Sequence, residues 1–265
     1  MSIEKRKPRR QHGEAPKNGT TSAPKDSPRT VSLDFDLEGV SARPVREPGP
    51  PAPLPELATL DRWQEALRQN DDASAWLHAR GLSASTCASV RLGYRTYLGR
   101  PAIVMPIVTD RIVTNIKHRF LDESEPKYMA MRGRPHGLYP SVPLGLAVLL
   151  AEGEFDALIA RQHGLPAVSG TAGIEGWEPE WTRKLTGRSV AVCFDAGAGC
   201  LELAERRVRE LRAAGIRDAW PVDLTLAGFK PGEDLTNWFV EYGWSAKELR
   251  AFVNDARRHY KSEAA

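Results

Sequence analysis

Cysteine is scarce in this chain of 265 residues: Cys87, Cys193 and Cys200 are the only three, at separations that suit neither a disulfide framework nor a four-ligand zinc site. They read as small buried hydrophobes. Long apolar runs are missing too. Nothing approaches the roughly 18 consecutive apolar residues of a membrane span, so a membrane role is excluded. Lys5, Arg6, Lys7, Arg9 and Arg10 open the chain, but Gln11, His12 and Gly13 stand where a secretory signal would begin its apolar segment. A cytoplasmic location is the expectation. No Gly-x-Ser-x-Gly elbow supports a serine hydrolase, and a net charge of +3 is too small to name a partner by itself.

What is present changes character along the chain. Residues 1–55 are rich in Pro, Ser, Lys and Arg without apolar periodicity, and end in the run Pro48-Gly49-Pro50-Pro51. This predicts a disordered tail finishing in a stiff proline linker, whose basic opening either touches nucleic acid or is simply solvated. Leu57, Leu60, Trp63 and Leu67 then follow helical spacing. A second helix through Trp76 and Leu77 is expected after the capping candidates Asn70 and Asp71, and a third after Ser83. Stretches 102–108 and 111–120, rich in Ile and Val around Thr109-Asp110, read as a β-hairpin. Beyond an irregular polar stretch, strand candidates at 147–151, 166–168, 189–194 and 218–222 alternate with helix candidates at 154–163, 178–185, 201–214 and 244–258. Such alternation predicts an α/β fold, a mostly parallel sheet with helices on both faces. The expected organisation is a tail over 1–55, a small α+β subdomain over 56–143 and the α/β domain over 144–262.

In an open parallel sheet, functional groups gather beyond the carboxyl ends of the strands. Glu152 directly follows the run Leu146-Ala147-Val148-Leu149-Leu150-Ala151, and Asp195 directly follows Val190-Ala191-Val192-Cys193-Phe194. If those strands are neighbours, the two carboxylates share a cleft. A third acidic point, Glu233-Asp234, follows the last strand. Converging carboxylates supply the hard oxygen ligands that Mg²⁺ prefers. The plainer reading is that acids after buried strands start helices. It fits Glu154 and Asp156 best, and competes evenly for Glu152 and Asp195. Asp195-Ala196-Gly197-Ala198-Gly199 also suggests a dinucleotide loop, but Glu202 stands at its third glycine.

These residues resemble a known family. Ala151-Glu152-Gly153-Glu154-Phe155-Asp156-Ala157 looks like the first TOPRIM motif, and Cys193-Phe194-Asp195-Ala196-Gly197 like the second, which normally reads Asp-x-Asp. Lys230-Pro231-Gly232-Glu233-Asp234 is similar to the later acidic segment of bacterial-type (DnaG-like) DNA primases of phage, plasmid or mobile elements. Arg80-Gly81-Leu82, Leu92-Gly93-Tyr94, Arg119 and Pro126-Lys127-Tyr128 resemble the basic subdomain that precedes TOPRIM there. The resemblance spans about 57–258 and implies a TOPRIM-type, Rossmann-like sheet behind a basic subdomain. It implies that Glu152, Asp195 and Asp234 are the catalytic acids and hold Mg²⁺ or Mn²⁺, and that Arg119 and Lys127 bind nucleic acid or nucleotide. Zinc is not expected.

The function implied is nucleotidyl transfer, the synthesis of short primers on single-stranded DNA from nucleoside triphosphates. A non-catalytic nucleic-acid-binding replication factor with a degenerate site is the alternative, a TOPRIM nuclease the third reading and a topoisomerase the least favoured. The departures favour the alternative: Gly197 replaces the second motif's second aspartate, Cys200 a usual glycine, and Thr236 a common acid. Neither a preceding zinc module nor a Gly-x-x-x-x-Gly-Lys-Ser/Thr helicase loop is found, so a replicative helicase or a separate zinc-binding initiation factor is an expected partner.

Overall fold

Two β-sheets share one hydrophobic core in the computed structural model, which describes residues 49–263. The tail expected over 1–55 lies outside the described residues as far as position 48. Residues 49–56 carry no helix or strand but are tied down. The Ala52 amide donates to the Arg132 carbonyl at 3.0 Å, and Arg134 Nε donates to the Ala52 carbonyl at 2.7 Å.

Three helices follow, α1 (Leu57–Arg68), α2 (Asp71–Ala79) and α3 (Ala84–Ser89). The expected caps are in place: the Asn70 side chain accepts from the Ala73 amide at 2.8 Å and Ser83 Oγ from the Thr86 amide at 3.2 Å, each satisfying a backbone donor the helix leaves open. The first sheet is antiparallel, β1 (Gly93–Tyr97), β2 (Arg100–Thr109), β3 (Ile112–Phe120) and β4 (Tyr128–Ala130), in that order. Asp110 and Arg111 form the two-residue turn between β2 and β3, at φ values of 51° and 67°. Positive φ at both central residues matches the twist of a hairpin, so Arg111 is a turn residue and not the first of the strand. Ile103, Met105 and Ile107 of β2 face the shared core, while Val104 meets Leu60 of α1 and Ile116 of β3 on the other side. Burial on both faces explains why this hairpin reads as near-continuous Ile and Val.

The second sheet has the order β5-β7-β6-β8-β9, built from β5 (Leu138–Tyr139), β6 (Ala147–Ala151), β7 (Ala167–Gly170), β8 (Ser189–Cys193) and β9 (Ala219–Val222). Only β5 runs antiparallel. Four helices flank it: α4 (Glu154–Gln162), α5 (Pro179–Leu185), α6 (Ala198–Ala213) and α7 (Ala246–Glu263). Leu149, Ala151, Ala191 and Cys193 pack with Leu158 of α4 and Leu249 of α7 in the shared core. Val148, Leu150, Val190 and Val192 pack on the opposite face with Trp181 and Leu185 of α5 and Val208 and Leu211 of α6. Period-two side-chain alternation thus fills two layers from one set of strands. This is the mostly parallel α/β sheet with helices on both faces. The chain places β7 on one side of β6 and β8 on the other, so the strand order reverses between β6 and β8, where such folds open a crevice. Among the described residues, no helix is long and apolar enough to cross a membrane.

Candidate metal and nucleic-acid site

β6 and β8 are parallel neighbours, Ala151 paired in register with Cys193, so the residues after each emerge at the same edge. Glu152 and Asp195 are therefore brought together, and the Asp195 amide donates to Glu152 Oε2 at 3.2 Å. Asp234 arrives from the loop after β9. That loop is laced to the strand-end segment by Ala196 N to Glu233 O and Gly232 N to Ala196 O, both at 2.8 Å. The Asp234 and Asn237 side chains each accept from the other's backbone amide, at 3.0 and 2.8 Å, which fixes the Asp234 carboxylate. Glu233, its neighbour, bonds within its own loop instead, accepting from the Lys230 amide and the Tyr242 hydroxyl.

Asp156, read from the sequence as a helix-start acid, belongs to the cluster. It lies in the first turn of α4 but does not cap it; the cap position is Gly153. The residue is only 8 % exposed, and its carboxylate receives a hydrogen bond from Thr236 Oγ1 at 3.4 Å. Burial, then the charges of Asp234, Asp195 and Glu152, push its pKa well above the usual carboxylate range. Asp195 is raised to about 7 by burial and by Glu152 and Asp234. Asp234 is raised by burial too, although its amide bonds and Arg80 pull it back. Four carboxylates crowd one strand-end cleft, a charge excess that a bound cation relieves.

The opposite wall is cationic and aromatic. Arg80, at the end of α2, stacks over Trp76 with its guanidinium carbon 3.8 Å from the ring centroid, and burial followed by the nearby Arg119 lowers its pKa. Arg119 lies between Trp76 at 5.4 Å and Tyr128 at 5.0 Å. Such stacking holds a guanidinium in place while leaving edge donors free, although Arg119 Nη1 already donates to the Phe120 carbonyl. In the sequence Arg80 stood out as a helix end and as part of the stretch resembling the basic subdomain, with no site role assigned to it; what brings it here is Trp76, packed edge-on against Phe155 of α4 at 5.2 Å. Lys127 is exposed, and among the described residues its ammonium has no ion-pair partner.

Two sequence departures have a structural side. Gly197 has φ 134°, in the region that favours glycine, and α6 begins immediately after it, three residues earlier than expected. An aspartate there would strain the backbone, so the missing acid is not simply interchangeable. Cys200 is only partly buried, unlike Cys87 and Cys193. It sits in the exposed first turn of α6 beside Glu152 and Asp195, which, after burial, raise its thiol to about 11.

The site's donors are carboxylate oxygens, which fit a hard divalent ion. Among the described residues no three His, Cys, Asp or Glu side chains are arranged as a ready-made cage. Mg²⁺ needs none, since it is held by one or two carboxylates and keeps several waters.

No family model matches the chain. A primase of Aquifex aeolicus, solved with its zinc-binding and RNA polymerase domains, superposes with a TM-score of 0.63 at 19 % identity, over 75 % of this chain and 59 % of that one. The present chain therefore spans less than two thirds of it. A DNA primase domain from Pseudomonas aeruginosa gives 0.59 at 17 % identity over 75 % and 77 %. A DnaG primase catalytic domain bound to single-stranded DNA gives 0.57 at 18 % identity over 75 % and 79 %. In sequence, the Gene 57 protein of Mycobacterium phage D29 is 34 % identical over 108 residues, 39 % of this chain and 70 % of that protein. The chain has the fold of DnaG-type primase catalytic cores and belongs to the family of the mycobacteriophage D29 Gene 57 protein.

Proposed function

We propose that the protein is a primase-like nucleotidyltransferase acting on single-stranded DNA with nucleoside triphosphates and Mg²⁺ or Mn²⁺. The observation that carries this reading is the meeting of Glu152, Asp156, Asp195 and Asp234 at the strand ends, across from Arg80 and Arg119. Glu152, Asp195 and Asp234 would hold the metal, with Asp156 behind them. A bound divalent ion would stabilise charge on the attacking hydroxyl oxygen and on the departing pyrophosphate. Arg80 and Arg119 would grip triphosphate or template phosphates as forks, and Lys127 as a point charge at the rim. That a DnaG domain of this fold binds single-stranded DNA supports the choice of template. A replicative helicase or a zinc-binding initiation factor would supply template selection.

Gly197 and Thr236, where the resembling family carries acids, favour a second reading, a DNA-binding replication factor without catalysis. The two separate in one experiment: the pure protein is incubated with single-stranded DNA, labelled triphosphates and Mg²⁺ or Mn²⁺. Primers that vanish with Glu152→Gln support the enzyme, and DNA binding without primers supports the factor. Template cleavage would instead mark a nuclease.

A further inference from the structure

One buried charged pair borders the cleft and has no part in the chemistry above. Lys117 of β3 and Glu154 at the start of α4 form a salt bridge with side chains 10 % and 5 % exposed. The Lys117 ammonium also donates to the Thr171 carbonyl, just past β7, at 3.0 Å and lies 4.7 Å from the Tyr128 ring centroid. A single group thus gathers both sheets and the first turn of α4. Desolvating two charges is costly, and an apolar pair of similar volume would hold the core together as well or better. Core stability alone is therefore a poor account of it.

Its neighbours give a better one. Glu154 stands between Glu152 and Asp156 in sequence, on the segment that carries the acidic wall. Tyr128 is the ring against which Arg119 rests on the cationic wall. We infer that Lys117 is a positioning residue that sets the spacing of the two walls, holding Glu154 on one side and Tyr128 on the other. The inference rests on the primase-like reading for its purpose but not for its geometry. An apolar pair would fill the same volume yet let α4 and β4 shift, because packing lacks the direction of a shared ammonium.

The test is the double variant Lys117→Met with Glu154→Met, which removes both charges together and leaves neither unpaired. It should melt close to the wild type, while metal affinity and primer synthesis fall by about 10- to 100-fold, as when support behind a ligand is lost. The fall should be mainly in kcat, with Lys117→Arg, which keeps the charge, retaining part of it. Amide hydrogen exchange needs neither metal nor nucleotide: residues 152–157 and 128–131 should lose protection in the double variant, and 189–193 should not. Unchanged protection in a folded double variant overturns the inference whatever the wild type does with nucleotides. Lost protection in a protein that never makes primers sinks only the primase reading. Should the double variant fail to fold, Lys117→Gln with Glu154→Gln, which also removes both charges together, carries the same exchange comparison, and unchanged protection there overturns the inference as well.

Discussion

At the scale of single residues, Asp156 is the acid that composition and spacing disguise. Its place in the first turn of α4 is where any helix welcomes a carboxylate, and only the packing of α4 against the loop after β9 turns it toward Asp234. The metal-free protein carries the strain of that crowding. Asp156→Asn keeps the shape and can still accept from Thr236 while removing one like charge. Without divalent ions it should raise Tm by about 2–4 °C, the shift expected for a gain of roughly 1 kcal/mol in a chain of this size. Primer synthesis should disappear and Mg²⁺ should stabilise the variant less than the wild type. Melting curves with EDTA and with Mg²⁺ check this; a lower Tm with synthesis retained would remove Asp156 from the site. Glu152, Asp195 and Asp234 needed less, because each follows a strand signal; Asp156 lies in the first motif stretch too, but there a helix start already accounted for an acid.

At the scale of elements, the sequence was legible where the pattern is local. β6 is an apolar run of five residues and β8 a serine followed by four apolar ones, β2 and β3 are joined by a two-residue turn, and Asn70 and Ser83 cap the helices they precede. β1, β4 and β5 escaped because two of them are only two or three residues long and all exist through partners elsewhere in the chain. β3 hides a titration as well. His118 is 1 % exposed, stacks on Tyr97 at 3.9 Å, and leaves Nε2 without a partner. Burial lowers its pKa to about 4. The unfolded chain takes up that proton near pH 6.5 and the folded chain resists it, so acid favours unfolding. Stability should fall as pH drops from about 6.5 to 4, by about 3 kcal/mol in all at 1.36 kcal/mol per pKa unit. Urea midpoints of His118→Phe across that range should fall less steeply than those of the wild type; parallel curves would show that His118 titrates normally.

At the scale of the whole molecule, the shared core decides how independent the parts are. Ile103, Met105 and Ile107 of the first sheet belong to the same cluster as Leu149, Phe155 and Leu158 of the second half. The boundary expected near 143 thus separates two patterns in the sequence but cuts through one interior. A fragment of residues 49–143 keeps α1 to α3 and both strands of the hairpin, yet loses the cover over one face. It should be aggregation-prone or bind a hydrophobic dye, whereas residues 49–263 should unfold in a single transition. Calorimetry and dye fluorescence of the two chains decide this; a soluble, cooperatively folding fragment would make the halves true domains.

The hairpin that brings those three side chains together has a bearing on biosynthesis. Its contacts are short in sequence, so it can close while the rest of the chain is still being translated. Residues already made, such as Leu77 and Leu92, belong to the same cluster, but the part of its inward face that Leu149, Phe155 and Leu158 complete waits in water until α4 emerges more than thirty residues later. During that interval an apolar stripe is open to passing chaperones and to other nascent copies. Slowing the ribosome between the hairpin and α4, with the amino-acid sequence unchanged, should lower the yield of folded protein.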